Sequence, residues 1–579
     1  MNPASPPPSH CTAGDTIEMI ISHILPALLV ASLSVKSLVG RWRVIHTKFS
    51  ILLSSLSTAA RYPHSTDNPL FVDLIPKILS TLRSLECLSS RCLDATLPGG
   101  KLHLQSDIDI SSATLPPLHD LDILLRSGLL YNPNQHSSAI VLPLPLPSAS
   151  RAELSLFIRE LFARLQIGTI DLKAKALDSL LQFLSSDSQK LAPVVAEEGD
   201  ITFLIRLLDP SSHSLIRDSA TAVVSLLATA SDASRRSLFD EGALGALLRL
   251  LDAGSLAVKE KAAAAIEAIS ADTSNAWAIS AYGGVTILIN ACRPGGGSST
   301  VQGLAAASLS HISAIDELRA SMTEEDAIPV LIDLLASGPP SAWKSATLCL
   351  CSLAFFGGDE IRLSIVEGGG LRHLLQLLLD PWPSDPGLVE HALRAIPALS
   401  FSPAASKTLS ASPSFFVHLS DLIRQGTASI QFTAASVLCN LLPNEDVKRS
   451  MAPCMASLIK MLQSRKPASA QETASRALLS LLSVRSNRKE LVHDEKSISR
   501  LVKMLCPLQD EINKEFPVSV LLSLAAGGGG GCRRRLAEAG ACSALQKLAE
   551  GDVPGARKAH QRISGGRIKN LFSSLGRRD

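Results

Sequence analysis

The chain has 579 residues, too many for one ordinary hydrophobic core, so it must form several domains or an array of repeats. Apolar residues make up 46%, charged residues 19% and aromatic residues 4%. The apolar part is mostly Leu and Ala, which favours closely packed helices. Lys plus Arg total 55 against 53 Asp plus Glu, so no global charge draws the chain to nucleic acid or an anionic membrane.

Eleven cysteines are scattered without a Cys-x-x-Cys pair or a matching set of histidines at zinc spacing. We therefore predict buried, reduced thiols in a cytosolic or nuclear protein, with no metal site and no cofactor. We predict no catalytic residues either, although a triad can assemble from residues distant in sequence. The histidines on the predicted repeat helices have no recurring Asp or Ser partner: His311, His373, His391, His418 and His493.

Residues 1–14 combine prolines with small polar residues and are predicted to be disordered. The run Met19–Val35 is strongly apolar, but its 17 residues are few for a membrane-spanning helix. Acidic Asp15 and Glu18 precede it where a signal peptide carries basic residues. We expect a buried bundle helix capped by Asp15 or Thr16, and no integral membrane span.

Two longer amphipathic stretches, Ser37–Ala60 and Leu70–Leu97, and a weaker one, Leu118–Leu129, follow. Together with the first helix they predict a small helical bundle over residues 15–130. Residues 131–150 carry Pro at alternate positions. Proline interrupts helices and favours extended chain, so this segment is predicted to be a linker.

The segment RRSLFDEGALGALLRLL, residues 235–251, indicates a short polar helix, a glycine corner and a second helix with Leu at helical spacing. The pattern recurs with a mean period of about 43 residues. It predicts nine or ten repeats over 151–563, the first one truncated, and leaves a basic tail at 564–579. The predicted corner positions are Gly199, Gly242, Gly283, Asp326, Gly369, Ser414, Pro453, Lys496 and Gly540.

Each second helix is followed by a longer, alanine-rich third helix, as in Ala257–Ser270. Two or three helices per repeat at this period indicate an α-solenoid. The predicted fold class is therefore all-α: an α-solenoid preceded by a small N-terminal helical bundle.

The repeat pattern also predicts the structural role of a basic run and of the glycine-rich run before it. RRRLAEAG at 533–540 matches RRSLFDEG at 235–242, so Arg533–Arg535 are predicted to open a first helix, with Gly527–Gly531 as the preceding loop. A phosphate-binding loop would need Lys-Ser/Thr after a strand, and that pattern is missing here. The same alignment predicts a structural position for Arg362 in IRLSIVEG.

The glycine corner, the following I/L-x-x-L-hydrophobic-x-L-L and the alanine-rich third helix resemble the armadillo repeat, in its plant form. The N-terminal part is similar to the helical domain that precedes armadillo repeats in plant U-box proteins and in relatives without a U-box. This chain has no Cys-Pro-Ile-like start of a U-box. Direct ubiquitin ligation is therefore not expected.

The resemblance implies that the stacked third helices line a concave groove in which segments of partner proteins dock. A solvated helix face is the alternative for every residue on these helices. The candidate groove residues are Arg217, Lys259, Trp343, Lys344, Arg394, Gln431, Asn440 and Arg476.

Armadillo proteins that resemble nuclear import adaptors bind basic peptides through Asn and Trp repeated along the third helices. Only one of the equivalent positions here is Asn, so a peptide backbone would find few donors and acceptors. Binding of import cargo is therefore not expected. The equivalent positions are Leu226, Ala268, His311, Ser352, Ala398, Asn440, Ser480 and Ser523.

The sequence thus predicts a non-enzymatic protein-interaction scaffold and does not identify its protein partner. The predicted location is the cytoplasm, and import into the nucleus is left open. No nucleic-acid partner is expected. The alternative function is a component or adaptor of ubiquitin signalling. A third class is membrane tethering through Met19–Val35 or through the basic residues of the C-terminal tail.

Overall fold

The computed structural model describes residues 12–63, 65–93, 105–109, 116–127, 130, 142–379, 385–441, 443–464, 469–506, 512–527 and 529–575. Within these residues every regular element is a helix, so the predicted all-α class is confirmed. The predicted disorder at 1–11 and the linker residues 131–141 lie outside the described residues. The chain divides into two compact units, 1–269 and 270–579.

The first unit begins with a helical bundle. Its core contains large side chains that are fully or almost fully buried, including Trp42, Phe49 and Phe71. The helices of the bundle are α1 (Ala13–Met19), α2 (Leu25–Ser34), α3 (Val39–Ala60), α4 (Pro69–Arg91) and α5 (Pro116–Arg126). One π-helical turn, Ile20–Ile24, joins α1 to α2.

The first helix starts earlier than predicted, because Thr12 rather than Asp15 or Thr16 is its N-cap. The Thr12 hydroxyl accepts a hydrogen bond from the Asp15 backbone N–H at 3.2 Å, and the Asp15 carboxylate accepts the Thr12 N–H at 3.0 Å. This reciprocal pair is a capping box. The wide π turn precedes Pro26, which lacks the backbone N–H that a regular α-helix needs.

The stretch from α1 to α2 is buried on one face only. Leu25 and Leu28 lie in the bundle core, whereas Val30 and Leu33 are 69% and 67% exposed. The helix Ala13–Ser34 is long and apolar enough to cross a membrane, and 28% of its most apolar 18-residue window is buried. The prediction of a buried bundle helix is thus correct for one face and wrong for the other.

The bundle packs directly on the first repeat, which consists of α6 (Arg151–Ile167) and α7 (Ile170–Ser186). Ala163 of α6 is 1% exposed and belongs to the bundle core. Residues 142–149 are non-helical, as their prolines predict, but Leu142 is 5% exposed and this segment lines a cavity together with Phe157 of α6. The described end of the linker is therefore packed against α6.

Within the described residues, nine further repeats each contain three helices. The first helices are α8 (Ser188–Glu198), α11 (Asp232–Asp240), α14 (Thr273–Ala281), α17 (Asp316–Glu324), α20 (Asp359–Glu367), α23 (Pro403–Ser410), α26 (Glu445–Ser450), α29 (Arg485–His493) and α32 (Gly529–Glu538). The second helices are α9 (Ile201–Arg206), α12 (Ala243–Ala253), α15 (Gly284–Cys292), α18 (Ala327–Ser337), α21 (Gly370–Leu379), α24 (Pro413–Gln425), α27 (Met455–Met461), α30 (Glu495–Met504) and α33 (Ala541–Glu550). The third helices are α10 (Ser214–Ala230), α13 (Leu256–Ser270), α16 (Ser299–Ile312), α19 (Pro340–Phe356), α22 (Pro386–Leu399), α25 (Ala428–Asn440), α28 (Ala470–Leu481), α31 (Glu515–Gly527) and α34 (Ala556–Leu575).

In the second unit each third helix from α16 to α34 packs against the next one. Small residues make this close approach possible: Ala306, Ala346, Ala392 and Ala434 are all 0% exposed. At Gly303 of α16 a Cβ would lie 2.9 Å from the hydroxyl of a serine on α19. Stacked three-helix repeats of this kind form an α-solenoid, as predicted.

The corners between first and second helices are only partly as predicted. Five of them have a residue with positive φ: Gly242, Gly283, Asp326, Gly369 and Gly540. Gly199 instead has φ −91°, so its glycine is not needed for a left-handed turn. A Cβ there would lie 2.5 Å from the Phe162 ring, and close packing is the reason for glycine at this position. Ser414, Pro453 and Lys496 are not in the left-handed region either.

Two glycine-to-alanine replacements in the last repeat are expected to have opposite effects on stability. Gly540→Ala places a Cβ at φ +88° and should destabilise the repeat by about 1–2 kcal/mol. Gly531→Ala lies within α32 with open space around it and should stabilise the repeat by about 0.5–1 kcal/mol. Hydrogen exchange of the amides in α32 and α33 measures both effects, and changes of the same sign would contradict the assigned corner.

Candidate partner-binding groove

The third helices of the second unit form a cavity of about 650 Å³ between α22 and α25. We call it the groove pocket. The C-terminal end of α19 and the start of α20 complete its wall. Leu393 and Pro397 of α22 and Val437 of α25 supply apolar surface, and Arg394 and Asn440 lie at its edge among the lining residues. The pocket thus combines apolar walls with a few polar groups, as peptide and ligand sites do.

Two exposed phenylalanines are the most unusual feature of the groove pocket. Phe355 at the end of α19 is 56% exposed, and Phe401 after α22 is 77% exposed. Phe432 of α25, half-buried, also lines the cavity. Since only 4% of the residues are aromatic, three Phe at one surface cavity form a concentrated apolar patch, and such patches mark interaction sites.

The titratable groups of the groove pocket are two arginines and one glutamate. Arg394 is exposed, while the Glu390 carboxylate accepts a hydrogen bond from the Ser429 hydroxyl at 2.8 Å. Burial lowers the pKa of the neighbouring His391, so its ring is neutral at pH 7 and contributes no charge. The lining thus contains two guanidinium groups, Arg362 and Arg394, and one carboxylate, Glu390, and Arg362 is also paired with Asp359 outside the lining.

Arg362 stabilises the end of α19 and positions Phe401. Its Nε donates to the Ala354 carbonyl at 2.8 Å, and its Nη1 donates to the Asp359 carboxylate at 2.9 Å. The guanidinium also lies 5.7 Å from the centre of the Phe401 ring. The structural role predicted for Arg362 is therefore observed, although the residue lines the pocket as well.

The same arginine cap recurs along the chain. Arg235 donates to the Ala228 carbonyl at 3.0 Å, and Arg533 donates to the Ala525 carbonyl at 3.1 Å. Each of these arginines lies on a first helix and satisfies carbonyls at the end of the preceding third helix. This agrees with the predicted repeat position of Arg533. The glycine loop is shorter than predicted, because α32 already begins at Gly529.

The structure brings only two of the eight predicted groove residues, Arg394 and Asn440, to the groove pocket. Lys344 forms an ion pair with Asp385 at 3.1 Å. On the remaining third helices, Arg476 of α28 is exposed and Lys259 of α13 is half-buried.

Three other predicted groove residues donate hydrogen bonds to backbone carbonyls of the same repeat. The Trp343 Nε1 donates to the Gly338 carbonyl at 3.1 Å, and the Gln431 Nε2 donates to the Arg424 carbonyl at 3.5 Å. In the first unit the Arg217 Nη1 donates to the Pro210 carbonyl at 3.4 Å. These bonds hold the loop between second and third helices, a role within the fold that the sequence did not indicate.

Three cysteines on the repeat helices have raised pKa values. Burial raises the pKa of Cys439 to about 11 and that of Cys292 and Cys454 to about 12. These thiols are therefore protonated at neutral pH and are poor nucleophiles. In the described part of the chain, no group of three or more His, Cys, Asp or Glu side chains is placed to hold a metal ion.

Phe355 and Phe401 are not among the groove residues predicted from the sequence, although the aligned repeats contain a signal for them. Both lie three residues after the position equivalent to Asn440. An aromatic residue occurs there in only these two repeats, while the others have small or polar residues or Pro. The residues at that position in the other repeats are Thr229, Ala271, Ala314, Pro443, Ser483 and Ala526.

Two family models match separate parts of the chain. Residues 158–354 match the model of the plant U-box protein ARM repeat region, and residues 19–129 match a domain of unknown function, DUF7032. The predicted resemblance to plant armadillo-repeat proteins is thus confirmed. No curated protein sequence matches the chain significantly.

One of the similar solved structures supports the same fold. An engineered protein of known crystal structure is 24% identical and aligns over 71% of this chain and 98% of its own, with a TM-score of 0.57. A designed armadillo repeat protein is 25% identical over 42% of this chain and 99% of its own, with a TM-score of 0.37. Another designed armadillo repeat protein, in complex with the peptide (KR)4, is 21% identical over 42% of this chain and 99% of its own, with a TM-score of 0.36.

Proposed function

We propose that this armadillo-repeat protein is a non-enzymatic scaffold that binds a segment of a partner protein at the groove pocket. The observation that carries the proposal is the exposure of Phe355 and Phe401 beside the exposed Arg394, on the surface formed by third helices. Burying one phenylalanine side chain on binding would contribute about 1.5–3 kcal/mol. Such a contribution is typical of a residue that dominates an interface.

The lining residues favour a partner segment that places an apolar side chain next to Asp or Glu. The Phe rings would cover the apolar side chain, and Arg394 would pair with the carboxylate. Arg362 is already bonded to two carbonyls and to Asp359, so Arg394 is the arginine that we assign to the partner. Basic segments fit poorly because two guanidinium groups line the cavity.

Proximity labelling in the native cell tests the proposal. The full-length chain should label its main partners, and the variant Arg394→Glu/Phe401→Ala should lose at least about 10-fold of that labelling, since about 1.4 kcal/mol of binding free energy corresponds to a factor of ten. The matched control is Leu363→Ala/Arg372→Glu, which removes an exposed apolar group and reverses an arginine in the same repeat, outside the groove pocket. The proposal fails when groove variant and control label the same partners equally.

A role in ubiquitin signalling is the second candidate function. It is supported by the similarity of residues 158–354 to the ARM repeat region of plant U-box proteins. In a direct role the purified chain would modify itself in the presence of ubiquitin, activating enzyme and conjugating enzymes. Absence of that product, with a functional ligase as control, would exclude the direct role and leave the scaffold function, with or without a partner ligase. The cytoplasmic location stays a prediction.

A further inference from the structure

The bundle has an apolar face that its described helices leave uncovered. On α2, Val30 and Leu33 are 69% and 67% exposed, and on α3, Val44 and Ile51 are 57% and 49% exposed. The opposite sides of both helices lie in the bundle core. Four large aliphatic side chains on two neighbouring helices exceed the scattered apolar exposure that is normal for a soluble surface.

These side chains belong to one rigid hairpin of helices. α2 and α3 pack against each other and are joined by only four residues, which makes them antiparallel. The Ser32 hydroxyl and the His46 Nδ1 form a hydrogen bond of 2.9 Å across the pair. The backbone N–H of Lys36 in the joining segment donates to the Cys92 carbonyl at 3.0 Å. The hairpin is therefore fixed to the end of α4, which holds in place the two helices that carry the exposed side chains.

The charge of this hairpin has one sign. Residues 19–66 contain no Asp or Glu. They contain five basic residues: Lys36, Arg41, Arg43, Lys48 and Arg61. Arg41 forms an ion pair with Asp109, whereas Lys36 and Arg43 are exposed beside Leu33 and Val44. The apolar face is thus flanked by positive charge.

We infer that the α2–α3 face, defined by Val30, Leu33, Lys36, Arg43 and Val44, binds the surface of a bilayer that contains anionic lipids. Aliphatic side chains entering the boundary between headgroups and acyl chains, with Lys and Arg at the phosphate level, are the features of interfacial membrane binding. Protein interfaces are enriched in Tyr, Trp and Phe instead, and the exposed large side chains of this face are all aliphatic.

The face lies on the membrane in this proposal and does not span it. The helix Ala13–Ser34 is apolar enough to cross a bilayer, but Leu25 and Leu28 on its inner side are 0% and 1% exposed within the bundle core. Crossing the bilayer would remove these side chains from their core and would leave the facing residues of α3 and α4 uncovered. Surface binding keeps the bundle intact.

Sedimentation with vesicles tests the inference, using the full-length protein. Vesicles of phosphatidylcholine with about 30 mol% phosphatidylserine should bind the protein at least about 10-fold more strongly than phosphatidylcholine alone, and high salt should weaken the binding. The variant Leu33→Glu/Val44→Glu should lose at least about 10-fold of the binding to anionic vesicles. Val417→Glu, at an aliphatic residue 50% exposed in the second unit, should bind like the wild type.

Circular dichroism melting of the double variant shows whether its bundle is folded, and both introduced charges lie at exposed positions. For the case in which the double variant melts early, Lys36→Glu/Arg43→Glu tests the same face through its charges. Equal binding to neutral and anionic vesicles overturns the inference. The absence of vesicle binding also overturns it, and that result is expected when the face binds an acidic protein instead. An equal loss of vesicle binding in Val417→Glu overturns it as well.

Discussion

Replacement of Phe415 by alanine is expected to lower the free energy of unfolding of its repeat by about 3–5 kcal/mol. Phe415 of α24 is 0% exposed, and its ring packs against Phe416 with ring centres 5.2 Å apart. Its removal leaves a cavity that the surrounding helices fill only in part. Hydrogen exchange of the amides of α24 and α25, together with the melting temperature, measures the loss.

Phe401→Ala is the matched control, because it makes the same chemical change at a residue 77% exposed. The free energy of unfolding should stay within about 0.5 kcal/mol of the wild-type value, as for other surface substitutions. Partner binding should instead fall in this variant. A destabilisation equal to that of Phe415→Ala would show that Phe401 serves the fold, and the assignment of Phe401 to partner binding would then be wrong.

Replacement of Trp42 by alanine is expected to destabilise the bundle by about 3–5 kcal/mol and to expose α6 as well. Trp42 is 0% exposed, and the core to which it belongs includes Ala163 of α6. Ile167 and Leu172 of the first repeat pack against the same core. Loss of the bundle should therefore uncover the apolar end of the first repeat.

Hydrogen exchange distinguishes this coupling from two independent domains. Amides in both α3 and α6 should exchange faster in Trp42→Ala, with the effect fading along the following repeats. Unchanged protection of α6 beside a deprotected α3 would contradict a shared core. The exposed, neighbouring position Val44→Ala is the control, and it should leave both helices protected.

The repeating arrangement of helices could be predicted because each repeat contains the same local pattern. Leu at helical spacing, alanine-rich third helices and turn residues between them are determined by helix geometry, which repeats with the sequence. The corner conformations were less predictable. Position 199 has the glycine expected for a left-handed turn, yet the Gly199 backbone is not left-handed and the nearby Phe162 ring is what requires glycine there.

The groove pocket could be predicted only in part, because it depends on contacts between repeats. Arg394 and Asn440 were chosen from their helix position, and both line the cavity. Trp343 and Gln431 have similar helix positions but donate to loop carbonyls. Helix periodicity predicts the face of the helix on which a side chain lies. It does not predict which backbone carbonyl that side chain can reach.

The contact between the bundle and the first repeat could not be predicted from the sequence pattern either. The prolines of residues 143–147 predict non-helical chain, and the described residues of this segment are non-helical. The prolines do not predict that the chain turns back onto α6, since that depends on the apolar surface that Leu142 contacts.

Site-specific photocrosslinking of a partner tests the groove assignment most directly. A benzoylphenylalanine introduced in place of Phe401 should crosslink the same partner that proximity labelling identifies, and an excess of the partner's acidic, apolar segment should compete with the product. The same probe in place of Leu363, 42% exposed on α20 of the same repeat, should give no such product. Crosslinking from Leu363 but not from Phe401 would contradict partner binding at the groove pocket.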